Sequence, residues 1–118
     1  MTLIIGGAGQ GKLDYALEKT GYGMEQVART PEEARMRPIF AGLEHWPELD
    51  ENELLAANPD VILICGEVGC GVVPVDPEQR RRREQVGRLC CRLAKRAERV
   101  ERIFCGLSMV LKGEGTWK

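Results

Sequence analysis

Apolar residues fall along this chain in short runs of two to six separated by amphipathic stretches, the pattern of strands alternating with helices around a mainly parallel sheet. Leu3 to Ile5 reads as a buried strand, and Lys12 to Lys19, with Leu13, Ala16 and Leu17 on one face, reads as a short helix ended by Thr20-Gly21-Tyr22-Gly23. Val27-Ala28 fits a short edge strand, and Pro31 to Ala34 a helix start capped by Thr30. Pro38 to Leu43 is a second buried strand, and Asp50 to Ala57 a helix capped by Asp50. Val61 to Cys65 is continuously apolar, as a central parallel strand should be. Pro77 to Glu98 is the longest helix, with Val86, Leu89, Cys90, Leu93, Ala94 and Ala97 on one face. Arg102 to Cys105 reads as another strand, 106–112 as a hairpin-like or extended segment, and 113–118 as a frayed tail.

This alternation predicts a small α/β domain, a mainly parallel sheet flanked by helices in the manner of a Rossmann-like, P-loop nucleotide-binding fold. A length of 118 residues suits one domain with a single core. The formal net charge of −1 argues against a nucleic-acid or acidic-membrane partner. No apolar run reaches the roughly 18 residues of a membrane-spanning helix, and Met1-Thr2-Leu3 does not open a leader; a cytoplasmic location is expected. Five cysteines without a C-x-x-C pair, and a single histidine, speak against a zinc site or disulfide framework and for reduced packing thiols. A small sheet with open edges is expected to form a homo-oligomer.

Between the first strand and the first helix stands Gly6-Gly7-Ala8-Gly9-Gln10-Gly11-Lys12-Leu13. The spacing Gly6-x-x-x-x-Gly11-Lys12 fits a phosphate-binding loop, in which backbone N–H groups turn inward around a polyphosphate and the lysine reaches its outer phosphates. The following helix points its positive end at the same anion. The plainer reading is a tight turn without ligand; its place after a strand and before a helix favours phosphate. Leu13 stands where a Ser or Thr hydroxyl ordinarily meets the magnesium of the nucleotide, and Asp14, rotated by about 100° on the helix, is not expected to replace it.

Glu67, just past the apolar strand 61–65, is a candidate for the carboxylate that holds magnesium or its water, with a solvated loop glutamate as the alternative. Arg80-Arg81-Arg82-Arg83 winds round its helix, so Arg80 or Arg83 is a candidate phosphate or substrate contact, against a solvated basic face.

Two stretches resemble the adenosylcobinamide kinase / adenosylcobinamide-phosphate guanylyltransferase family of cobalamin biosynthesis. One is Ile4-Ile5-Gly6-Gly7-Ala8-Gly9-Gln10-Gly11-Lys12; the other runs from Val61 to Lys112 and includes Glu67-Val68-Gly69-x-Gly71-Val72-Val73-Pro74, Arg80, Arg83-Glu84, Gly87-Arg88, Leu93-Ala94 and Cys105-Gly106-Leu107. Residues 20–60 are little like it, so the chain looks like a shortened member. The resemblance implies phosphorylation of adenosylcobinamide by ATP or GTP with Mg2+, then transfer of GMP from GTP through a histidine phosphoramidate. His45, the single histidine, is the one such nucleophile available, with a surface histidine as the alternative. The implied catalytic set is Lys12, Glu67 and His45, and the implied partners are a nucleoside triphosphate and the corrinoid. A non-catalytic nucleotide- or corrinoid-binding module derived from the enzyme is the reading from a different class.

Overall fold

The computed structural model describes residues 1–66 and 76–113. Six strands form one sheet in the order β2-β3-β4-β1-β5-β6. They are β1 Thr2–Gly6, β2 Val27–Ala28, β3 Ile39–Ala41, β4 Ile62–Gly66, β5 Arg99–Phe104 and β6 Leu107–Lys112. All neighbouring strands run parallel except β6, which returns antiparallel along β5. The helices are α1 Lys12–Thr20, α2 Pro31–Ala34, α3 Glu51–Ala57 and α4 Pro77–Arg96.

The alternation of side chains along each strand divides the core into two layers. On one face Leu3, Phe40, Leu63, Cys65 and Val100 pack with Leu54 and Leu55 of α3 and with Val86, Leu89 and Leu93 of α4. On the other, Ile4, Ile39, Ala41, Ile62, Ile64 and Ile103 receive Ala16 of α1, with Leu13, Tyr15 and Leu17 around it. Fully buried aliphatic side chains of this kind contribute about 2 kcal/mol each.

Helix starts follow local chemistry. The hydroxyl of Thr30 accepts the N–H of Glu33, the Asp50 carboxylate those of Asn52 and Glu53, and the Asp76 carboxylate that of Glu78. Helix α4 ends at Arg96, two residues before the predicted Glu98, because Ala97 turns extended and is buried as the chain enters the sheet.

Strand β5 starts three residues earlier than its apolar pattern suggests. The reason is Glu101, 1 % exposed and pointing inward. Its carboxylate accepts hydrogen bonds from Arg99 Nε at 2.8 Å, from the Tyr15 hydroxyl of α1 and from the Ser108 hydroxyl of β6. Burial pushes this carboxyl up, but the bonds from Arg99, Ser108 and Tyr15 outweigh it and hold the group below its ordinary value. A charge in the middle of a buried strand breaks the apolar run that sequence reading relies on. Among the described residues no helix is long and apolar enough to cross a membrane.

Candidate nucleotide site

The carboxyl ends of β1, β3 and β4 lie side by side, with Gly6 opposite Gly66 and Ala41 opposite Ile64. In open parallel sheets this edge is where ligands bind. The glycine loop leaves β1 here and turns into α1 through Gly11, whose φ of 87° lies in the left-handed region that favours glycine. Lys12 folds back over the loop, its ammonium donating to the Gly7 carbonyl at 2.8 Å. The ammonium is therefore held against the loop backbone.

The loop is also held from outside. Gln10 Oε1 accepts the N–H of Cys105 at 2.6 Å, and the Gln10 carbonyl accepts the N–H of Gly106 at 2.9 Å. Both donors belong to the β5–β6 turn.

A cleft of about 660 Å³ opens beside the loop, within the size range of small-ligand sites. One wall is Gly9, Gly11, Lys12, Leu13 and Asp14; the other is Arg29 with Gly42, Glu44, His45 and Trp46. His45 ends a single 3₁₀ turn, Leu43–His45, that follows β3. Its side chain is 76 % exposed, and Nε2 lies 3.9 Å from Glu44 Oε2. The fold thus sets the single histidine in the same cleft as the glycine loop, although 33 positions separate it from Lys12. Asp14 reaches the lining together with Leu13, although neighbouring helix positions point in different directions; the cleft extends round the first turn of α1.

Glu67 lies outside the described residues, as does the rest of the 67–75 string. Two carboxylate residues among the described ones line the cleft, Asp14 and Glu44; Glu44 Oε1 accepts the N–H of Gly66 at 2.9 Å. Sequence reading passed over Glu44, and the signal was present: it follows the apolar run 38–43 just as Glu67 follows 61–65. Arg29 and Trp46 were also passed over. Trp46 is anchored by its indole N–H on the Arg29 carbonyl at 3.3 Å.

Neither Arg80 nor Arg83 is among the described residues that line the cleft. Arg80 is solvent-exposed and Arg83 is half-buried. The arginine of this run that approaches the site is Arg82, whose guanidinium donates to the His45 carbonyl at 3.4 Å. No group of three or more His, Cys, Asp and Glu side chains among the described residues is placed to hold a metal ion by itself.

Behind the cleft, Cys65 and Cys90 bring their sulfurs to 3.5 Å. The contact with Cys90, burial and the charge of Glu44 all push the Cys65 thiol up, so it stays neutral. Cys65, Cys90, Cys91 and Cys105 are free thiols.

A parallel α/β sheet with a glycine loop and its lysine at the carboxyl edge defines a P-loop-type fold. The family model described as cobinamide kinase / cobinamide phosphate guanyltransferase matches residues 45–111, more than half of the chain. The protein belongs to that family. It is 44 % identical over 54 residues to the bifunctional adenosylcobalamin biosynthesis protein CobP of Pseudomonas aeruginosa, a stretch covering 46 % of this chain and 31 % of that relative. The chain thus matches about a third of the length of this curated relative. The family match begins at His45, beyond the glycine loop; what speaks for the loop is its own geometry.

Proposed function

We propose that this chain binds a nucleoside triphosphate, ATP or GTP, with its magnesium at the Gly6–Lys12 loop and acts as a transferase of cobalamin biosynthesis on a cobinamide acceptor. The observation that carries this reading is the single cleft into which Lys12 and His45 both face. A phosphoryl or nucleotidyl transfer needs little more from a protein than positioning and charge neutralisation. Lys12 and the loop N–H groups hold the polyphosphate, and the start of α1 adds its dipole. Arg29, on the facing wall, adds a second positive charge.

In the kinase step the aminopropanol hydroxyl of the corrinoid attacks the γ-phosphorus and the nucleoside diphosphate leaves. In the guanylyl step a ring nitrogen of His45 attacks the α-phosphorus of GTP, pyrophosphate leaves, and the phosphate of the phosphorylated acceptor then takes GMP from the imidazole. Incubation with GTP and magnesium followed by intact-mass measurement tests this step. A GMP adduct that His45→Ala abolishes is expected; wild-type protein that binds GTP but stays unmodified removes the guanylyl half of the proposal.

Leu13 favours a second reading. Without a hydroxyl after Lys12 the loop lacks the usual magnesium ligand, which fits a module that binds nucleotide or corrinoid without turning it over. Adenosylcobinamide phosphorylation by the wild type, absent in Lys12→Ala, decides between the two. Nucleoside triphosphates are a cytoplasmic pool, which supports a cytoplasmic location. Strand β6 leaves one edge of the sheet open and exposes Leu107, Met109, Val110 and Leu111, which supports association of identical copies.

A further inference from the structure

The carboxylate of Glu44 is held in an unusual place. It stands over the end of β4, where Oε1 accepts the Gly66 N–H at 2.9 Å. A side chain at position 66 would not leave room for it, because a Cβ there would come within 2.9 Å of Oε2 and 3.0 Å of Cδ. Gly66 in turn is the register partner of Gly6, the residue that opens the phosphate loop on the neighbouring strand. Paired strands lie about 4.8 Å apart. The carboxylate therefore bonds to the strand next to the one that opens into the loop, and it lines the same cleft as Lys12.

With one oxygen committed to Gly66, the carboxylate is fixed in orientation. The other oxygen, Oε2, lies 3.9 Å from His45 Nε2, beyond hydrogen-bond length. It is a hard, anionic donor beside the place where the triphosphate belongs. Magnesium takes such donors, keeps several of its waters, and is commonly held by one or two carboxylates plus the phosphates rather than by a cage of side chains. That description fits a cleft with no preformed cluster of three ligating side chains among its described residues. It also fits Leu13, which removes the ligand that the loop would ordinarily supply. Asp14 also lines the cleft, but it is exposed, and among the described residues no hydrogen bond or ion pair of its side chain is seen that would fix its carboxylate as the Gly66 N–H fixes that of Glu44.

We infer that Glu44 is the carboxylate through which this chain holds the magnesium of its bound nucleotide, directly or through one water, in place of a ligand from the glycine loop. The inference rests on the nucleotide reading above and assigns a role that the sequence pattern gave to Glu67.

The test is calorimetric titration with GTP, with and without magnesium, on the wild type, Glu44→Gln and Glu67→Gln. The amide of Glu44→Gln still offers an oxygen to the Gly66 N–H and loses the charge. The wild type is expected to bind at least tenfold more tightly with magnesium. Glu44→Gln is expected to lose that gain while binding metal-free GTP as well as the wild type or better, and Glu67→Gln to keep the gain. A merely structural Glu44 would weaken both forms of the nucleotide equally. Retention of the full magnesium gain by Glu44→Gln, or its loss in Glu67→Gln alone, overturns the inference and leaves the nucleotide site standing. A folded wild type that binds GTP in neither condition overturns the nucleotide reading and this inference with it. If the amide variant does not fold, Glu44→Asp, with the charge on a shorter arm, carries the test: a reduced magnesium gain is expected, and an unchanged one overturns the proposal.

Discussion

Gln10, at the tip of the glycine loop, accepts the backbone N–H of Cys105 on its side-chain oxygen at 2.6 Å, so residues far apart in the chain meet directly at this loop. A loop of small residues has little side-chain packing to fix it, and this bond, with the one from Gly106 to the Gln10 carbonyl, supplies an external brace. Gln10→Ala deletes the first bond and leaves the second. The expected cost is about 1 kcal/mol, read as roughly fivefold weaker nucleotide binding with little change in melting temperature. Unchanged affinity would show that the loop holds its shape unaided.

The two-residue turn that carries this brace contains a local conflict. Phe104 pairs with Leu107, leaving Cys105 and Gly106 as the turn, and both have positive φ, 52° and 74°. That is the backbone of a type I′ hairpin turn, which favours Asn-Gly. Cysteine in the left-handed region costs about 1 kcal/mol. Cys105→Asn is therefore expected to raise stability by about that amount in urea unfolding, and a lower midpoint would contradict it.

Glu101 makes stability depend on acid. Its folded pKa is lowered from the ordinary 4.5, so its contribution is complete above about pH 4.5 and disappears as pH falls through the lower folded value. Glu51, paired with Arg92, and Glu33 are shifted in the same direction, with the same sign. In Glu101→Gln the loss of stability below pH 4.5 should be shallower than in the wild type. Glu101→Ala removes the carboxylate that accepts from Arg99, Tyr15 and Ser108 and should cost about 3 kcal/mol at pH 7. Parallel acid curves for wild type and Glu101→Gln would assign the acid sensitivity to other carboxylates.

The thiols should separate by reactivity. Cys91 and Cys105 are exposed, whereas Cys65 is buried and its pKa is pushed up. Timed alkylation followed by peptide mapping should label Cys91 and Cys105 in the native protein and Cys65 only on unfolding. Early labelling of Cys65 would mean that the β4–α4 layer opens more readily than its packing implies.

What could be seen in the sequence was what is written locally. Strand β4 follows a continuous apolar run, α4 a three- and four-residue spacing, and α2 and α3 follow caps two or three residues from the groups they satisfy; in each case the physical cause lies within a few residues. The glycine loop was legible for the same reason, since the spacing of its glycines is set by its own backbone. The start of β5 was hidden because a buried Glu101 is satisfied by Tyr15 and Ser108, residues that only the fold brings near. Glu44 was missed because its meaning depends on Gly66, twenty-two positions later, and the brace on Gln10 because its donors lie in the last hairpin. Long-range hydrogen bonds leave no periodicity to read.

The most direct test of the account is calorimetric titration of the intact protein with magnesium-GTP and magnesium-ATP, against Lys12→Ala as control. Micromolar binding of at least one nucleotide, lost by a hundredfold or more in Lys12→Ala with the fold intact by circular dichroism, is the predicted result. Binding that survives in Lys12→Ala, or a folded wild type that binds neither nucleotide, would contradict the assignment of the Gly6–Lys12 loop.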